Sequence, residues 1–221
     1  MTEVIVDYIN SRIQSEFPYF EERKKLCEII QEQNADGEFI SYPAEYFTNG
    51  EYKQIDLDFY NGIIYYRMNG DTSISEVEDD YVSGCDMMLE VKYPMRLVGS
   101  IKKDVFNDDD AYTDMQLAEN ISSIINTTSN RTIQQTYKLE QFKINVTSLN
   151  TNRAAIIGDE YNGLPIQIRY DRAYFAVEFE TTIRLTQACF QAWSCGNTRV
   201  SIEFCTDDLV DLVYGGPEFE V

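Results

Sequence analysis

Apolar positions recur at helical spacing in three stretches of the chain and at alternate positions over most of the rest. Ile5, Tyr8, Ile9, Ile13 and Phe17 repeat about every 3.6 residues, which predicts an amphipathic helix over Thr2 to Phe17 with Thr2 as N-cap and Pro18 as its stop. Phe20, Cys27 and Ile30 continue the spacing and predict a second helix over Phe20 to Gln33, closed by the run from Asn34 to Gly37. From Glu38 the period becomes two. Ile55, Leu57 and Phe59 alternate with Asp56, Asp58 and Tyr60, and the pattern resumes from Ile63 to Met68. The intervening Asn61-Gly62 predicts a hairpin with a type I′ turn, whose two central residues both need positive φ.

Leu89, Val91, Tyr93, Met95, Leu97, Gly99 and Ile101 predict one long strand. Pro94 cannot donate to a sheet ladder, so the strand is an edge, is bulged, or is two strands in series. Between these strands, residues 69 to 86 are polar and acidic and predict a solvated loop. A third helical stripe, Met115, Ala118, Ile121 and Ile125, predicts a helix over Tyr112 to Asn126. Thr113 and Gln116 have capping-box spacing there, and Asp109, Asp110 and Asp114 favour the positive helix end.

The second half is extended. Tyr137 and Leu139 alternate, then Phe142, Ile144 and Val146 continue after a one-residue phase shift near Glu140 that reads as a β-bulge. Phe175, Val177, Phe179, Thr181, Ile183 and Leu185 form the longest clean alternation. Val200, Ile202 and Phe204 add another strand, and Thr206 to Asp208 could cap a last helical turn. Residues 148–165 are too long for a plain connection and hold the apolar run Ala154 to Ile157. They predict either an extended arm packed on a neighbouring subunit or a locally folded loop. The arm reading makes Asn150, Asn152, Arg153, Ala154, Ala155, Ile156, Ile157 and Tyr161 interface residues. Together these elements predict one α+β domain spanning residues 1–221, with a mixed, mainly antiparallel sheet and an N-terminal and a central helix packed on it; a split near Asn130 is the alternative.

Charge changes this picture more than composition does. The formal net charge is −20, with no histidine. It divides as −7 over residues 1–70, −9 over 71–120, +1 over 121–206 and −5 over 207–221, so a near-neutral β region is bracketed by acidic segments. Such a chain has no electrostatic footprint for DNA or an anionic membrane, and no imidazole for catalysis or metal ligation. Glu78, Asp79, Asp80, Asp108, Asp109 and Asp110 are candidates for acidic loops facing solvent or a channel.

Candidate chemistry adds little. Asp108, Asp110, Asp114 and Glu119 stand at relative positions 1, 3, 7 and 12 of an EF-hand-like loop. Tyr112 and Thr113 occupy positions 5 and 6, where an oxygen ligand and glycine belong, so helix capping is the better account and no metal or other cofactor is expected. Five cysteines without a paired motif read as free structural thiols. No phosphate loop or nucleophile elbow occurs, which makes an enzyme improbable. Carboxylate pairs of the glycosidase kind are uninformative among 38 acidic residues. Trp193 beside Gly196 could stack on a sugar, but an indole tucked over the sheet is the simpler reading. No apolar run spans a bilayer, and the acidic start lacks a secretory signature, so synthesis in a cytoplasm is expected.

The order of elements resembles the tail-terminator and neck-ring proteins, the head-tail connectors of tailed bacteriophages. The resemblance is carried by the leading helix Thr2 to Phe17, the hairpin about Asn61-Gly62, the helix Tyr112 to Asn126, and the strands Tyr137 to Val146 and Phe175 to Leu185. It covers most of the chain through topology and composition rather than a diagnostic motif. The asparagine-, isoleucine- and tyrosine-rich composition is also similar to that of phages of gut Bacteroidetes, crAss-like phages included. The resemblance implies a non-enzymatic virion protein, made in the host cytoplasm, that forms a homo-oligomeric ring. Its partners would be itself and neighbouring portal, neck or tail proteins, with DNA passing through without specific binding. The rival expectation is a carbohydrate- or receptor-binding module of a phage tail or adhesin.

Overall fold

The computed structural model describes residues 1–46, 51–77, 88–106, 113–127, 130–164, 166 and 169–186. In chain order the elements are α1 (Thr2–Glu16), β1 (Glu22–Leu26), β2 (Glu28–Gln33), β3 (Phe39–Tyr46), β4 (Tyr52–Gln54), β5 (Gly62–Met68), β6 (Ser73–Val77), β7 (Met88–Lys102), α2 (Lys103–Phe106), α3 (Asp114–Ile125), α4 (Arg131–Thr136), β8 (Gln141–Asn150), α5 (Arg153–Glu160) and β9 (Arg172–Thr186). The fold is α+β. Its main sheet runs β1-β5-β7-β9-β8, with β6 also paired to β7, and β2-β3-β4 form a smaller sheet. Among the described residues only the β1–β5 pair is parallel.

Alternation along the long strands divides the core in two. On one face Ile64, Leu97, Phe175 and Val177 pack against Ile5, Ile9 and Ile13 of α1 and Leu117, Ala118 and Ile121 of α3. On the other, Ile63, Tyr65, Val98, Tyr174 and Ala176 meet Ile156 and Ile157 of α5 together with Ile55 and Leu57. Helices therefore cover one face. A helix, an irregular segment and the small sheet cover part of the other.

Several expectations need correction. The second helix does not form: Glu22–Leu26 pairs with β5, and Glu28–Gln33 pairs with β3. Phe20 and Cys27 are buried all the same, since burial and ladder pairing outweigh the helix propensity of this Glu- and Lys-rich run. Thr2 is not the cap of α1 but its first residue; the N-cap position is Met1, which makes no side-chain cap hydrogen bond. The Asn61-Gly62 hairpin is also absent. Ile55 and Leu57 are buried in a turn closed by a hydrogen bond from Asp58 N to Asp56 Oδ1, and β5 pairs with β7 rather than with residues 55–59. Gly62 is needed for close approach, because a Cβ there would stand 2.9 Å from the Tyr19 carbonyl oxygen.

Pro94 does not interrupt β7, which pairs with β9 along its whole length. The interruption falls in the neighbour: β5 pairs as far as Met95 and β6 from Lys92, so Pro94 lies opposite the gap between them. Asn69 N donates to the Pro94 carbonyl across that gap, placing the missing N–H on the side where no partner is needed. The 69–86 loop accordingly contains a strand, β6. The capping box of α3 forms as its spacing predicts, whereas Met115 is exposed and Leu117 and Ile124 join the buried stripe. Tyr137 caps α4 instead of entering β8, and the bulge lies between Val146 and Ser148. The strand at Val200 to Phe204 and the turn at Thr206 to Asp208 lie outside the described residues.

Candidate interaction surfaces

The described part of residues 148–165, through Leu164, folds locally instead of forming an arm. Asn150 Oδ1 accepts from Asn152 N, and Asn152 caps α5 by accepting from Ala155 N. The helix then buries Ile156 and Ile157 against the chain's own sheet, and Tyr161 donates its hydroxyl to the Ile55 carbonyl at 2.7 Å. Three of the eight residues expected at an interface, Ile156, Ile157 and Tyr161, are thus internal. Asn152 and Ala154 are exposed; Asn150, Arg153 and Ala155 are half-buried. Arg153 is held by Asp114 at the start of α3, through Nε at 3.0 Å and Nη2 at 2.8 Å, and lies 5.8 Å from the Tyr170 ring centre. The extended reading fails because this apolar run has a helical period and a capping asparagine before it.

Beneath α5 lies a charged cluster that periodicity did not reveal. The fully buried Glu160 accepts from Tyr65 Oη at 2.9 Å and Arg67 Nε at 3.0 Å, and stands 3.4 Å from Arg96 Nε. Arg96 also reaches Asp159 through both terminal nitrogens at 3.2 Å. A second knot surrounds the fully buried Arg172. Its Nε donates to Ser100 Oγ, and its Nη2 donates to the carbonyls of Leu57 and Tyr60. Asp58 pairs with that guanidinium and accepts from Tyr174 Oη. Burial lowers the Arg172 pKa from its usual value. Burial raises the Tyr65 and Tyr161 phenols well above theirs, and raises Tyr174 to about 12. These groups tie α5 and the 55–60 turn to the sheet. The signal for them was available: Arg67 and Arg96 occupy inward positions of strands, and Glu160 follows Ile156 and Ile157 by one helical turn.

Among the described residues, three exposed features stand apart from this interior. The first is aromatic. Phe39 is 73% exposed, and Tyr46 and Tyr52, whose ring centres are 5.1 Å apart, are also solvent-facing on the small sheet. The second is a cleft of about 120 Å³ floored by Ile55 and Ile63 and flanked by Phe59, itself 76% exposed. Lys24 lines it, but its ammonium is already paired with Glu45 at 3.1 Å and Glu22 at 3.4 Å. The third is two stretches of free edge in the main sheet, whose other edge strand is β1. The outer side of β8 is paired only at Ile144, by Thr127, and β6 has no neighbour besides β7.

Glu78, Asp79, Asp80, Asp108, Asp109 and Asp110 lie outside the described residues, as do Trp193 and every cysteine except Cys27. Cys27 is buried, and its thiol is pushed up to about 12 mainly by desolvation. Asp114, the one expected calcium ligand beside Glu119 that is described, is engaged by Arg153 and by Lys103 at 3.1 Å. Among the described residues no group of three or more carboxylates or cysteines is placed to hold a metal, and no helix is long and apolar enough to cross a membrane. No protein-family model matches the chain, and no curated protein is similar to it.

Proposed function

We propose that this chain is a non-enzymatic structural subunit that assembles with copies of itself into a ring, in the neck or tail of a tailed phage, joining head to tail around the DNA channel. The supporting observation is where the apolar surface lies. Tyr46 and Tyr52 are in ring contact and exposed at one end of the small sheet, Phe39 is exposed at the other end of β3, and the charged groups of the interior are engaged in holding α5 and the 55–60 turn in place. Exposed aromatic side chains are characteristic of association surfaces. A net charge of −20 suits a wall along which DNA slides without sticking, since phosphate is repelled.

The competing reading, a carbohydrate- or receptor-binding module, draws on the cleft beside Phe59. The cleft is small and one of its two lysines, Lys24, is neutralised, which favours an apolar anchor over a sugar. Light scattering on the purified full chain at physiological ionic strength separates the two. Self-association into one closed species supports the ring, whereas a monomer retained on a glycan array replaces it with the binding module.

A further inference from the structure

Resting on the ring reading, we infer that the subunits join edge to edge, the outer side of β8 in one copy pairing antiparallel with β6 of the next so that one sheet continues from subunit to subunit. Both strands belong to the same sheet but to opposite sides of it, since β6 flanks β7 on the side away from β9 and β8 lies beyond β9. From Asn145 to Asn150 no described segment pairs with β8 on its outer side. β6 offers five residues, Ser73 to Val77, and four of them are exposed. Unpaired strand edges of similar length are templates for each other.

Direction and faces both match. β8 runs parallel to β7 and β6 antiparallel to it, because each neighbouring pair β6–β7, β7–β9 and β9–β8 is antiparallel. Rotation about a ring axis preserves strand direction along that axis, so β8 meets the next β6 antiparallel; because Ser75 stands level with Gln141 and Ser148 level with Arg96, six residues beyond Glu90 on β7, the contact also requires strands inclined to the axis with that stagger between subunits. On the helix-covered face, β8 carries Val146 and Leu149, opposite Phe179 and Val177, and both contact the main core. On the same face of β6, Ile74 pairs with Val91 and is 50% exposed. On the other face β8 carries Asn145 and Ser148, and β6 carries Ser73 and Ser75. Joining the edges covers Ile74 with Val146 and Leu149, leaves the exposed Glu76 at the end of that face, and sets Ser73 and Ser75 against Asn145 and Ser148.

The strands' own residues favour this pairing over the symmetric ones. β6 carries one charged residue, Glu76, and β8 carries one, Lys143. Pairing β6 with itself brings two Glu76 carboxylates to one seam, and pairing β8 with itself leaves Ile74 in water. The heterologous contact avoids both, and a contact of this type closes into rings.

The test introduces Ser75→Cys together with Ser148→Cys, or with Asn145→Cys, in the full chain and oxidises the native particles. Expected is a ladder of disulfide-linked species ending at the ring size, absent from each single variant. Ile74→Lys, at a half-exposed position, is expected to leave a folded monomer with an unchanged melting curve and at least a tenfold loss of assembly. A ring by mass that gives no ladder with either pair, and that Ile74→Lys leaves assembled, overturns the edge pairing while the ring reading stands. A cross-linked dimer from Ser148→Cys alone replaces it with a two-fold β8–β8 contact, and a persistent monomer of the unaltered chain removes both readings.

Discussion

Glu160 is where one side chain decides most. It carries a negative charge in a site closed to water, balanced by Arg67, Arg96 and the Tyr65 hydroxyl. Removing one member of a buried ion pair leaves the others desolvated and unpaired, so Glu160→Gln is expected to lower unfolding free energy by about 3–5 kcal/mol, read from urea unfolding. Little or no loss would show that the cluster is not closed to water. Gly99 is decided by space. A Cβ there would overlap the Phe175 ring and lie 2.9 Å from Ile64 Cγ2, so Gly99→Ala is expected to cost about 1–3 kcal/mol in the same assay. The phenols give a pH dependence whose sign follows from burial. Tyr93 and Tyr174 titrate at about 12 in the folded chain instead of 10, so between those values the unfolded chain has lost protons that the folded chain keeps. Stability present below pH 10 is therefore expected to fall as pH rises through about 12. Thermal melts at pH 9 and 11.5 would show it, with tyrosinate absorbance appearing together with unfolding.

At the scale of elements, α5 depends on its cap as well as on Glu160. Asn152→Ala removes the acceptor for Ala155 N and is expected to cost about 1 kcal/mol, with hydrogen exchange rising first in residues 153–160. How far the elements can be read from the chain depends on what fixed them. α1, α3, β7 and β9 follow their apolar periods, because a single period runs unbroken along each and one face is buried. The capping box of α3 was legible for the same local reason. β1 and β2 were not, since their pairing with β5 and β3 comes from residues distant in sequence, and their local composition favours helix. The Asn61-Gly62 turn misled because the same dipeptide serves where a backbone carbonyl approaches closely, a demand set by Tyr19 some forty residues earlier. At the candidate surfaces, the apolar run Ala154 to Ile157 was visible, but its direction of packing was not, because inward and outward burial leave the same helical stripe.

For the whole molecule, charge governs how copies can meet. Each carries −20, so any self-association works against mutual repulsion and must pass through strips that carry little acid, as β8 does between Asn145 and Asn150. Assembly is expected to strengthen as salt is raised from low to physiological ionic strength, the opposite of an interface held by opposite charges. The exposed pair Tyr46 and Tyr52 lies on a different surface, the small sheet, and stays uncovered by that edge contact. The central claim is that this chain closes into a ring. Electron micrographs of the purified full chain at physiological ionic strength test it most directly: the account predicts closed particles of one cyclic symmetry with a central opening. A uniform field of monomers, or open filaments without closure, would contradict it.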